Sequence, residues 1–254
     1  MQVIVLGSGT SHGVPVPGCG CAVCQSINPK NKRFRASIVF RLNGHNVLVD
    51  TTPDFRSQAI ANDLRTIDAV LFTHAHADHI YGLDDLRAYS QRQGPIRCFA
   101  GEATAAILRR SFEYIFIGRN EGGGIPEIEL NILNGPVELF GRAIEPIEVL
   151  HGKRTIHGFR AGGAAYLTDC SGIPPQSLAR LSGLKLLIIT GLRWEPHATH
   201  FSIGQGLEVA KALRPERILF THICHRLEHE ATNAALPSGA ELAYDGMVIE
   251  VEDM

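Results

Sequence analysis

The chain has 254 residues, with 24 Lys and Arg against 26 Asp and Glu, a formal charge of −2. That balance argues against a sequence-independent polyanion binder, which needs a basic excess to release counterions, and so against a nucleic-acid partner. Hydrophobic residues at 44% and charged residues at 20% exclude a disordered chain. No apolar run approaches the roughly 20 residues of a membrane span, so no membrane is expected.

In chain order, Gln2–Leu6 reads as a strand stopped by Gly7, and Gly7 to Gly20 as a loop rich in Gly, Ser, Thr and Pro. Ser37–Leu42 and Asn46–Asp50 are strand-like runs around Asn43-Gly44, a hairpin signal. Pro53–Leu64 reads as a helix with Pro in its first turn. Ala69–Phe72 is a buried strand running into Thr73-His74. A helix at Leu83–Arg92, a strand at Ile96–Phe99 and a helix at Ala103–Arg110 follow. Ser111–Pro126 combines aromatics with Gly122-Gly123-Gly124 and reads as a surface loop, a candidate lid.

The second half predicts strands at Glu127–Ile132, Val137–Phe140, Ala143–Leu150, Ile156–Ala161, Ala164–Leu167, Lys185–Thr190, Arg217–Phe220, Glu241–Tyr244 and Met247–Val251. Helices are predicted at Pro174–Leu181 and Ile203–Leu213. Hairpins followed by strand–helix alternation occur in both halves, which predicts two sheets packed face to face with helices outside. No linker divides the chain, so residues 1–254 are expected to form one α/β domain. Met1–Gly7 has no basic region and no cleavage-like stretch. A reducing, cytoplasmic location is therefore expected, where six cysteines are not a disulfide framework.

The strongest chemical signal is His74-Ala75-His76-Ala77-Asp78-His79 on the loop that ends the strand Ala69–Phe72. Two imidazoles two residues apart in an extended turn point to one side and chelate one ion, while Asp78 and His79 face a second. Nitrogen and oxygen ligands without thiolate suit Zn, Mn, Fe or Co. The second signal is Cys19-x-Cys21-x-x-Cys24. Three thiolates need one more ligand to close a tetrahedral zinc site, and a closed site is structural because it lacks the open position of catalysis. His225 and Cys224 are the candidates for the fourth place. Cys98 and Cys170 read as small core residues.

The His74–His79 pattern resembles the signature of the metallo-β-lactamase superfamily. The resemblance implies a four-layer αββα sandwich and three further ligands, each at a strand end: His151, Asp169 and His222. It places His74, His76 and His151 on one divalent metal and Asp78, His79 and His222 on the other. Asp169 bridges them at a separation of about 3.5–4 Å. Two such cations, Zn or Mn, lower the pKa of a water held between them and take up charge growing on a phosphoryl or acyl oxygen.

Gly7-Ser8-Gly9-Thr10, Gly13-Val14-Pro15, the cysteine trio, Thr73–His79, Asp169 and Thr221–His225 together resemble a narrower group. These are the PhnP-type cyclic-phosphate phosphodiesterases of the carbon–phosphorus lyase pathway. That likeness implies a small phosphorylated substrate, opening of a phosphoribosyl 1,2-cyclic phosphate, and a structural zinc on Cys19, Cys21, Cys24 and His225. Its catalytic residues are Asp78, among the ligands, and His200, which contacts phosphate or protonates the leaving oxygen. Arg87 and Arg193 are candidate phosphate clamps. The sequence departs from the group at Cys224, at Thr51-Thr52 after Asp50, and over Gly82–Arg87. Superfamily relatives often dimerise, so a homodimer stands among the expectations. Rival readings are a tRNA 3′-processing nuclease, which would need a basic docking arm, a lactone or thioester hydrolase, and a carrier in quinone-cofactor biosynthesis.

Overall fold

The computed structural model describes residues 1–117 and 124–252. Strand β1 (Gln2–Gly7) shows how the layers arise. Val3 and Val5 point into one apolar cluster and Ile4 and Leu6 into another, so both faces of the strand are buried and the sequence shows a continuous apolar run. The same alternation recurs in β2 (Ser37–Leu42), β3 (His45–Val49) and β4 (Ala69–Phe72). With β5 (Ile96–Ala100), β6 (Ile128–Ile132) and the C-terminal β14 (Val248–Glu250), these form a seven-stranded sheet in the order β14-β1-β2-β3-β4-β5-β6.

The second sheet takes β7 (Val137–Leu139), β8 (Arg142–His151), β9 (Arg154–Ala161), β10 (Ala164–Leu167), β11 (Leu186–Thr190), β12 (Arg217–Thr221) and β13 (Ala240–Leu242). Its order is β13-β12-β11-β10-β9-β8-β7. Each sheet is antiparallel at one side and parallel at the other. Between the sheets lies a core that includes Phe40, Leu71, Phe159, Tyr166 and Ile188. Truncating one of its phenylalanines to Ala costs about 3–5 kcal/mol.

Helices cover the outer faces. Over the first sheet run α2 (Phe55–Ala61), α4 (Arg87–Gln93) and α5 (Glu102–Ser111), burying Phe55, Tyr89 and Leu108. The second sheet is covered by α7 (Pro175–Ala179) and α8 (Ile203–Leu213), the latter opened by a capping box between Ser202 and Gln205. The fold is thus the αββα sandwich expected. Single turns α1 (Ala22–Gln25), α3 (Ala77–Ile80) and α6 (Glu113–Phe116), and the two-turn α9 (His229–Ala235), complete the α-helices among the described residues.

Several predicted boundaries shift for local reasons. The helix expected at Pro53–Leu64 starts after Asp54 and stops at Asn62, because Asp63 turns to a φ of 48°. Leu83–Arg92 divides into a 3-10 turn at Leu83–Leu86 and then α4, which ends at Gly94 with a φ of 82°. The expected loop Ser111–Pro126 contains α6, while Gly122 and Gly123 of the glycine run lie outside the described residues.

Candidate active site

The parallel strands of both sheets end at one edge, the usual ligand-binding place in parallel α/β architecture. Asp50 follows β3, Thr73–His79 follows β4, His151 ends β8, Asp169 lies two residues beyond β10, and His222 follows β12. Asp50, Asp169 and His222 take φ values of 64°, 55° and 58°. Non-glycine residues rarely adopt the left-handed region, and such strain collects at functional sites.

The glycine loop fixes the His222 segment. Ile223 N–H donates to Ser8 O, and Thr10 N–H donates to Ile223 O. Gly7 belongs there because a Cβ would lie 2.0 Å from Arg35 O. Thr51 and Thr52 also acquire a structural reason. Gly82 N–H donates to Thr51 O, and a Cβ on Gly82 would lie 2.0 Å from Thr52 O. The two threonines therefore seat the turn that carries Asp78 and His79.

Two sets of ligand atoms face each other, each set lying within 4.8 Å. One is His74, His76 and His151, with His74 Nε2 at 3.0 Å from His76 Nδ1. The other is Asp78, His79, Asp169 and His222. Asp169 touches both: its Oδ1 is 3.2 Å from His79 Nε2, and its Oδ2 is 3.4 Å from His222 Nε2 and 3.9 Å from His74 Nε2. His79 Nε2 and both ring nitrogens of His222 are buried without a hydrogen-bond partner. Buried polar atoms are normally satisfied. Orphan lone pairs aimed at two carboxylates form the donor set of a cation, so the residues fit divalent metal ions.

Electrostatics point the same way. Burial disfavours charge on His79, yet Asp169, Asp50 and Asp78 hold its pKa well above the ordinary histidine value. Burial likewise opposes charge on Asp169, and His222 and His79 outweigh it, holding the carboxyl well below the usual range. On His222 burial wins, despite Asp169, and depresses the pKa to about 4. Three carboxylates around one imidazole create a demand for positive charge that ions would meet.

Outer partners orient the rings. Asp50, fully buried, accepts from His79 Nδ1 at 2.7 Å and from Thr73 N–H and Oγ–H, each at 2.8 Å. His151 Nδ1 donates to Thr199 O at 2.8 Å. Neither Asp50 nor Thr199 was found by sequence reasoning. The available signal for Asp50 was its place at a strand end beside the histidine run.

His200 joins the cluster. Its Nε2 is 3.3 Å from Asp169 Oδ2, its ring stacks on His222 at 4.6 Å, and its Nδ1 lies 2.8 Å from Thr199 Oγ1. The two arginines expected as clamps are engaged elsewhere. Arg87 pairs with Asp84 at 3.0 Å and donates to Gly124 O, and Arg193 donates to Glu195 O and Pro196 O. Among the described residues neither contacts the cluster. Arg154, which carried no sequence signal, does: its Nη1 is 3.1 Å from His76 Nε2.

The second cluster closes on His225. Its Nδ1 lies 3.2 Å from Cys19 Sγ, 3.5 Å from Cys21 Sγ and 3.5 Å from Cys24 Sγ. Zinc–sulfur bonds of about 2.3 Å and zinc–nitrogen bonds of about 2.0–2.1 Å give tetrahedral edges of about 3.5 Å, so this donor set fits zinc. Cys224 Sγ instead accepts from Arg226 N–H. Cys24 N–H points at Cys21 Sγ and, with further contacts, lowers that thiol to about 6, while burial pushes Cys24 up to about 11.

An αββα sandwich gathering these residues at the strand ends defines a metallo-β-lactamase-type protein, a fold that binds divalent metals. The chain belongs to the β-lactamase superfamily: the β-lactamase superfamily domain matches residues 45–223. Within it the likeness runs to the PhnP family. A crystal structure described as a new diphosphatase from that family is 43% identical with a TM-score of 0.92, over 99% of this chain and 98% of that one. An octanoyltransferase of Porphyromonas gingivalis is 34% identical over all of this chain but only 52% of its own length, so the chain spans about half of that relative. Coenzyme PQQ synthesis protein B of Rhodopseudomonas palustris is 27% identical over 84% of this chain and 80% of that protein.

Proposed function

We propose that this protein is a metal-dependent phosphodiesterase that opens a cyclic phosphate ester, a phosphoribosyl 1,2-cyclic phosphate being the substrate. The observation that carries the reading is His200 Nε2 at 3.3 Å from Asp169 Oδ2, a ring nitrogen beside the carboxylate that lies between the two ligand sets. Similarity to a PhnP-family protein over nearly the whole chain supports phosphoester chemistry.

His74, His76 and His151 would hold one cation, and Asp78, His79 and His222 the other, with Asp169 between. Bound there, a pair of Zn or Mn ions supplies an acidified water and a Lewis acid for the phosphoryl oxygens. The chain's own residues do the rest. Asp50 fixes the ring of His79, and Thr199 O fixes that of His151. Thr199 Oγ1, 2.8 Å from His200 Nδ1, would orient the ring with Nε2 toward the reacting centre, from where the imidazolium form would hand its Nε2 proton to the departing alkoxide and return to neutral imidazole. Cys19, Cys21, Cys24 and His225 would hold a structural zinc that ties the N-terminal loop to the segment carrying His222.

A second reading, hydrolysis of a diphosphate ester, is favoured by the described activity of the 43% identical protein. Turnover of a ribose 1,2-cyclic phosphate, a nucleoside diphosphate and a lactone by the metal-loaded protein decides. The cyclic ester is expected to be fastest. A dominant diphosphate installs the second reading, and a dominant lactone overturns both. His200→Ala is expected to slow the alkyl cyclic ester by about 10²–10⁴-fold and an aryl diester little, since an aryl oxide leaves without a proton. Equal losses on both reject proton donation by His200.

A further inference from the structure

Strands β8 and β9 pair in register up to His151 opposite Arg154, with only Gly152 and Lys153 between them. Directly opposed residues of an antiparallel pair project from the same face. The hairpin therefore sends the Arg154 side chain out beside His151, and its guanidinium reaches the outer edge of His76 at 3.1 Å. The turn is held in place: Gly152 has a φ of 61°, and a Cβ there would meet Thr199 Cγ2 at 3.0 Å. Arg154 is exposed and has no carboxylate partner among the described residues, whereas Arg87 and Arg193 are occupied by other groups. Lys153 adds a second exposed cation on the same turn.

His76 Nδ1 faces His74 and the first ion position, and Nε2 faces Arg154. A neutral imidazole that offers the Nδ1 lone pair to a cation carries its proton on Nε2, which then accepts nothing from a guanidinium. The Arg154 donors are thereby left for another acceptor, one imidazole's width outside the first ligand set. That place suits an anionic group remote from the scissile ester, and a guanidinium binds phosphate through paired N–H donors.

Resting on the phosphoester reading above, we infer that Arg154, seconded by Lys153, anchors a second phosphate of the substrate and selects phosphorylated over unphosphorylated cyclic esters. Arg154→Ala is expected to lower kcat/KM on ribose 1,2-cyclic phosphate 5-phosphate by about 10–100-fold and on the same ester without the 5-phosphate by less than about 3-fold. Arg154→Lys should recover part of the loss. Calorimetric binding of ribose 5-phosphate to the metal-loaded protein should weaken by a similar factor in Arg154→Ala, with the metal content per chain unchanged. Equal losses on the two esters, unaltered binding of ribose 5-phosphate, or a fall in metal content would overturn the inference, the last reducing Arg154 to a prop for His76. If wild-type protein cleaves neither ester, the phosphoester reading fails by itself, and the binding measurement still decides the role of Arg154.

Discussion

The His/Asp cluster and the Cys/His cluster meet at neighbouring points of one segment, through His222 and His225, yet they are built differently. In the first, His74, His79, Asp169 and His222 are almost wholly buried, three backbones are strained, and nitrogen lone pairs are left without partners. In the second, Cys19, Cys21 and His225 are half-buried, the backbone sits on loops and one short turn, and the four donor atoms lie within 4.8 Å of one another. Burial alone would name the cysteine site as the accessible, reactive one. Donor count says the opposite: four donors would fill a tetrahedral ion and leave no place for a reactant, whereas the sets on either side of Asp169, flanked by His200, would leave one.

Removing the carboxylate between the two ligand sets is expected to have the largest effect. Asp169→Asn weakens both ligand sets at once. It should lower activity by more than about 100-fold, the upper scale on which even outer partners act, and reduce the bound metal measured by elemental analysis. Retention of full activity would separate the two sets and dissolve the idea of a common centre. Asp50→Asn comes next. The variant carboxamide cannot accept from Thr73 N–H, Thr73 Oγ–H and His79 Nδ1–H together, so metal affinity or activity should fall by about 10–100-fold. Activity within about 2-fold of wild type would show that His79 needs no such partner.

Cys24→Ser tests the other side of the comparison. Opening the tetrahedron should remove one zinc and lower Tm by about 5–10 °C, while activity of the folded protein well below Tm changes only a few-fold. Loss of activity without loss of stability would mean that the cysteine site is part of the reacting centre.

Much of this was legible from residues alone, where chemistry is concentrated in short runs. His74–His79 and the cysteine trio carry their ligands within six residues each, and His151, Asp169 and His222 are found because each ends a clear apolar strand. What stayed hidden depends on distant packing. Asp50 reads as one more polar residue after a strand until the fold brings it 2.7 Å from His79. Arg154 is invisible without the two-residue hairpin that sets it opposite His151, while Arg87 and Arg193 drew attention by their places near motifs and proved to be held by Asp84, Gly124, Glu195 and Pro196. Helix α9 escaped because its residues show no apolar period; Glu228, which accepts from Ala231 N–H, caps its start.

The expected effect with least bearing on activity concerns the loop on which both clusters lean. Asp245 accepts from Ser8 N–H, Ser8 Oγ–H and Phe34 N–H, and Ser8 O in turn holds Ile223 between His222 and the zinc-side histidine. Burial pushes the Asp245 carboxyl from 3.8 up to about 7, outweighing those three donors. Between these values the folded protein keeps a proton that the unfolded chain has released. The stabilisation from this proton is therefore complete below about pH 4 and disappears as pH rises through about 7, at up to about 1.4 kcal/mol per pH unit. Asp245→Asn is neutral throughout and has no such slope. Denaturant titrations should thus show the stability of wild type minus variant declining across that window and flattening above it, with the metal-ligand contributions cancelling between the two proteins. A difference that grows with pH would mean that the three donors keep Asp245 ionised, and that the glycine loop is pinned by a charge instead of a buried acid.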